Sequence, residues 1–92
     1  MNDSTSYSQY SVHEVFQQLS ALEQEFDLLL QTTDYKHPTV VDNFETTIRL
    51  LLHNARVMLL CTNVSDAMEH INLAQQQIRQ LKKFFSTKIK EL

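Results

Sequence analysis

The apolar residues of this chain fall into three runs, each stepping by three and four. In the first, Val12, Val15, Leu19, Leu22, Phe26 and Leu29 share one side of a helix, and Phe16 and Leu30 widen the stripe. In the second, Val41, Phe44, Ile48, Leu51, Ala55 and Met58 do the same, with Leu52 and Leu59 extending the face. The third is Val64, Ala67, Ile71, Ala74, Ile78, Leu81 and Phe85. Alternating steps of three and four form the seam of a bundle or coiled coil. The pattern therefore predicts helices over about 12–31, 39–62 and 65–90.

Local signals mark where these helices start and stop. Ser11 and Glu14 stand in an S-x-x-E capping box, in which each side chain satisfies a backbone N–H of the first turn, and Tyr10 and Val15 are spaced for a hydrophobic staple. Pro38 pushes His37 out of helical conformation and itself suits a first turn, so a boundary falls there. Thr39 and Asp42 form a second candidate capping pair. No Gly or Pro separates the last two helices, and only phase reveals a break. The second seam, continued, would reach Thr62, Ser65 and Glu69, whereas the apolar pattern resumes at Val64. A short turn with Asn63 or Ser65 as N-cap explains the shift; one continuous bent helix is the alternative. Residues 1–10, polar and rich in hydroxyls, read as a disordered tail before a single helical domain over 11–92.

Short connections make successive helices antiparallel, so the expected fold is all-α, an up-down-up three-helix bundle with coiled-coil-like seams. Helices 1 and 3 then run parallel. This brings Glu23, Glu25 and Asp27 of an otherwise base-free first helix level with Arg79, Lys82 and Lys83.

The second helix holds more apolar surface than one seam uses. From Ile48 to Cys61 it is apolar around most of its circumference, with a polar strip at Arg49, His53 and Arg56 and a second apolar strip at Leu50, Val57 and Leu60. The third helix is longer than the first, which predicts that Phe84, Phe85, Ile89 and Leu92 overhang the bundle. Exposed apolar patches usually mark interaction sites. The candidate partner-binding residues are therefore Leu50, Val57, Leu60, Phe84, Phe85 and Ile89, and the bundle is expected to be completed by helices of another helical protein or of a second copy.

Composition narrows the chemistry. There is no glycine, so no Walker or dinucleotide loop can approach a phosphate through its backbone. The one cysteine, Cys61, forms no intrachain disulfide and is expected as a small buried apolar residue. His13, His37, His53 and His70 show no metal-ligand spacing, and no cofactor is expected. His53 is the least ordinary, because cations flank it at Arg49 and Arg56. No nucleophile–base pair can be assigned, so an enzyme is not expected. Neither a secretory h-region nor a membrane span is present, which points to the cytoplasm or nucleus.

The expected function is a non-enzymatic interaction subunit: an adaptor, scaffold or small chaperone. The alternative is a regulatory binder of nucleic acid or anionic membrane through Arg79, Lys82, Lys83, Lys88 and Lys90. A net charge of −3 weighs against that alternative, so neither nucleic acid nor membrane is the expected partner.

Overall fold

The computed structural model describes residues 11–32 and 38–90, with side chains over 11–31 and 39–86. These residues form three α-helices: α1 (Val12–Thr32), α2 (Pro38–Leu60) and α3 (Val64–Lys90). The 1–10 segment, Tyr10 of the expected staple, and the side chains of Lys88, Ile89 and Lys90 lie outside what is described, as does Leu92.

Each described helix start has a chemical reason. Ahead of α1, the Glu14 backbone N–H donates to Ser11 Oγ at 3.0 Å and the Ser11 N–H donates to Glu14 Oε1 at 2.9 Å, which closes the capping box. Ser11→Ala is expected to lower stability by about 1 kcal/mol, read from the urea midpoint. α2 begins at Pro38, where a missing N–H does no harm. Thr39 is thus already inside the first turn, and the expected Thr39–Asp42 cap is not formed.

Between α2 and α3 the chain turns in three residues. The Asn63 N–H donates to the Met58 carbonyl at 2.8 Å and the Thr62 N–H to the Leu59 carbonyl at 2.9 Å, the paired bonds of a Schellman motif. That motif needs a left-handed residue, and Thr62 supplies it with φ 59°. A β-branched side chain is unfavourable there. Thr62→Gly is expected to raise stability by about 1 kcal/mol, seen as a higher urea midpoint with an unchanged slope. Asn63 then caps α3: its Oδ1 accepts from the Asp66 N–H at 3.3 Å and its Nδ2 donates to Asp66 Oδ2 at 2.8 Å. The helices are therefore separate. α2 stops at Leu60 rather than 62, because the Schellman bonds use its last carbonyls, and α3 starts one residue earlier than Ser65.

The helices pack as an up-down-up bundle. Asp27 meets Arg49 and Glu23 meets Arg56, so α1 and α2 are antiparallel; the turn at 61–63 reverses the chain again, so α3 runs parallel to α1, with Glu25 meeting Lys82 between them. One core runs the length of the bundle. Val15, Leu19 and Phe26 from α1, Val41, Ile48, Ala55 and Leu59 from α2, and Ala67, Ile71, Ala74, Ile78 and Leu81 from α3 are all essentially inaccessible to water. The buried set contains no polar or charged residue among those described. α2 and α3 make the most extensive contact. In a hairpin closing at 61–63, Ala55 comes level with Ala67 and Ile48 with Ala74. Small residues on these buried faces let two helices approach closely.

The core of α2 is rotated slightly from the expected seam. Ile48, Leu52, Ala55 and Leu59 are buried, while Phe44, Leu51 and Met58 are half-buried at the edge. A straight helix drifts about 20° per heptad relative to a strict 3.5 repeat, so a seam counted in threes and fours slides off axis within a few turns.

Candidate interaction surface

The α1 side of α2 is closed by charge. Arg49 donates through Nε to Glu45 Oε2 and through Nη2 to Asp27 Oδ1, both at 3.0 Å, and its guanidinium lies 5.1 Å from the Phe26 ring centroid. Arg56 donates through Nη2 to Glu23 Oε1 at 2.6 Å and stands 5.9 Å from the Phe16 ring. The Arg49 pKa is raised, chiefly by its hydrogen bond to Glu45 and next by that to Asp27. A cation whose folded pKa is raised stabilises fully below its unfolded value, so this contribution is lost only in strong alkali. Exposed ion pairs give about 0–1 kcal/mol each, and the neighbouring aromatic faces add to them modestly.

This geometry corrects the expected charge pairing. Of Glu23, Glu25 and Asp27, only Glu25 reaches α3, accepting from Lys82 Nζ at 2.6 Å. The other two pair with α2, because the long Arg49 and Arg56 side chains extend across the α1–α2 seam. The two arginines of the polar strip are thus paired within the chain. His53, exposed, lines the same groove with Glu23, Asp27, Leu52 and the two arginines.

The opposite side of α2 is different. Leu50 is 58% exposed, Val57 44% and Leu60 71%. All three project from a helix whose core face is already filled by Ile48, Leu52, Ala55 and Leu59; Leu50 and Val57 share the outer face, and Leu60 stands beside His53 toward the α1 side. The strip continues through half-buried Asn54 to Cys61. Cys61 is exposed, not buried as expected. It sits at the helix end, where its N–H bonds back to Val57 and Met58 and its side chain lies on the outer face. Beside this strip, Val40, Asn43, Phe44 and Thr47 line an open groove with Gln77 and Gln80 of α3. Leu73, 47% exposed, lies one turn before Gln77 on the same side of α3 and extends that groove.

The expected overhang of α3 is shorter than its length suggests. Phe85 is buried, at 7% exposure, and Phe84 is half-buried against the core, their rings 6.0 Å apart. The Glu25–Lys82 contact shows why. One turn further along, Leu29 of α1 comes level with Phe85, while Val41 in the first turn of α2 lies about one turn short of it, level with Leu81. Phe85 therefore belongs to the core, and of the expected partner-binding residues that are described it is those on α2 that are exposed, while Leu28 of α1 is likewise 59% exposed. Sequence reasoning did not single out Leu73, whose signal is its place one position outside the third seam.

Of the basic candidates, Arg79, Lys82 and Lys83 stand within one turn of one another on α3. Lys82 is tied to Glu25, Arg79 and Lys83 are exposed on α3, and the side chains of Lys88 and Lys90 lie outside what is described. Among the described residues no three His, Cys, Asp or Glu side chains are grouped to hold a metal ion. His70 donates its Nδ1–H to the Asp66 carbonyl at 2.9 Å and His13 contacts Gln17 at 3.2 Å, both local contacts along one helix. No helix in the described residues is long and apolar enough to cross a membrane. No protein-family model, no curated protein and no solved structure matches the chain.

Proposed function

We propose that this protein is a non-enzymatic interaction subunit that docks another helix on the outer face of α2. The observation that carries this reading is the pairing of a complete core with an uncovered apolar strip. Ile48, Leu52, Ala55 and Leu59 fill the interior, and Leu50, Val57 and Leu60 still project into water from the same helix. A row of large apolar side chains on one face of a soluble helix favours burial against a partner. Lys82, spent on Glu25, weakens the basic strip as a competing surface for nucleic acid or lipid.

Val57→Glu separates docking from folding. The side chain is 44% exposed, so helicity and the urea midpoint should be almost unchanged. Binding of an apolar dye and association with a helical partner should fall together. Unchanged dye binding, or a loss of helicity, would remove this reading.

A further inference from the structure

We infer that the occupant of this face is a second copy of the same chain, with the two α2 helices crossing antiparallel about a two-fold axis beside Asn54. This rests on the docking role proposed for α2 and names its partner.

The outer face of α2 carries its own seam. Asn43, Thr47, Leu50, Asn54, Val57 and Cys61 step by four, three, four, three and four, the spacing of a coiled-coil contact. From Thr47 to Cys61 the order is symmetric in kind about Asn54, with Asn43 outside the matched set. Asn54 lies at the centre, Leu50 and Val57 stand about one turn away on each side, and the smaller Thr47 and Cys61 come next. An isologous interface demands this symmetry, because residue i must meet j where j meets i. Antiparallel pairing sets Leu50 against Val57 of the second copy twice and Thr47 against Cys61 twice. Two Asn54 amides meet at the axis, each with donors and an acceptor to exchange.

Charge selects the same partner. The seam holds no ionisable side chain other than Cys61, and Thr46, His53 and Leu60 on one flank and Leu51 and Met58 on the other bear no formal charge with His53 neutral. The nearest charges are Glu45, Arg49 and Arg56, already paired within the chain, and the exposed Asp42 at one end of the strip. An acidic or basic helix would find nothing complementary along the seam, whereas a second copy brings an equally neutral strip. The antiparallel choice also opposes the two α2 dipoles and makes adjacent helices antiparallel throughout, as in up-down bundles.

The size suffices. From Asn43 to Cys61 the strip is about 27 Å long, and with the groove toward α3 and Leu73 it is about 20 Å wide. That outline is about 540 Å² per copy, so covering all of it would bury about 1,100 Å², close to the roughly 1,000 Å² expected of a specific contact.

The test is sedimentation of the full chain under reducing conditions across the micromolar range, with helicity followed in parallel. The wild type should be dimeric. Leu50→Lys and Val57→Glu should each weaken dimerisation by about a hundredfold and remain helical. The double variant Leu50→Lys/Val57→Glu should dimerise again, since antiparallel pairing sets each lysine against a glutamate. A parallel pair would instead oppose like charges. Under oxidation, Thr47→Cys should form covalent dimers through Cys61, while the wild type should not, its two Cys61 residues lying at opposite ends of the interface. Failure of the double variant to recover, or a Cys61–Cys61 dimer of the wild type, would overturn the proposed geometry. A monomeric wild type that still binds an apolar dye in a Val57-dependent manner would remove the second copy and leave the docking role standing. A monomeric wild type without dye binding would remove both.

Discussion

Ile48→Asp is expected to leave a chain without cooperative helical structure. Ile48 is fully inaccessible at the middle of α2, level with Ala74 of α3 in the closest helix pair of the bundle. A carboxylate there has no described polar group in the core to meet it, since the buried set is wholly apolar. It must be protonated, or it must pull α2 away from α3. Either outcome costs more than about 4 kcal/mol, most of what a domain this small holds in reserve. Loss of the helical circular-dichroism signal, with no urea transition, is the expected readout. Leu51→Asp provides the contrast: Leu51 is half-buried at the α2–α3 edge, where an aspartate can reach water. It should lower the midpoint by about 1–2 kcal/mol and leave the fold intact. Equal effects from the two substitutions would mean that the core of α2 is centred elsewhere.

Phe26→Ala should have the second largest effect, a loss of about 3–5 kcal/mol. Phe26 is the largest fully buried side chain, and it comes from α1, the helix that contacts the others least. Removing its ring takes away apolar area and the surface beneath the Arg49 guanidinium, which lies 5.1 Å from the centroid. α1 should then open before the α2–α3 hairpin does. Amide exchange should show this as protection lost along 12–32 while 48–60 and 67–81 still exchange slowly. Arg49→Ala, which removes only the charged partner, should cost less than about 1 kcal/mol. Uniform loss of protection across all three helices would show instead that the bundle unfolds as one unit.

Much of this architecture was legible in the chain because it is written in local chemistry. The Ser11–Glu14 capping box, the Pro38 boundary and the phase slip after Cys61 each depend on residues within one turn of one another. The structure shows the helix termini they imply, within two residues. What escaped the sequence depends on rotation of helices about their own axes. The direction taken by Glu23 and Asp27, toward α2 rather than α3, follows from where Arg49 and Arg56 emerge beside Phe26 and Phe16. Linear spacing does not contain that fact. The exposure of Cys61 and the burial of Phe85 have the same origin: each lies near a helix end, and the neighbouring helices decide whether an end is covered. The Leu50–Val57 strip was readable because it is what remains once a seam is assigned. Leu73 was not, since it lies just beside its own seam.

The turn at Thr62 settles a choice between two ways of assembling the same three helices. If that residue relaxed to right-handed backbone, α2 and α3 would join into one rod about 80 Å long, and two chains could exchange their α3 arms. The rod would release the local strain at φ 59°. It would also put the buried stripe of α3 about a quarter turn out of line with that of α2, because the residues of the turn advance the helical phase without advancing the apolar pattern. No single straight helix could then cover both stripes. Arm exchange is therefore disfavoured by the misalignment itself, and a turn without glycine can be left strained while the hairpin stays closed.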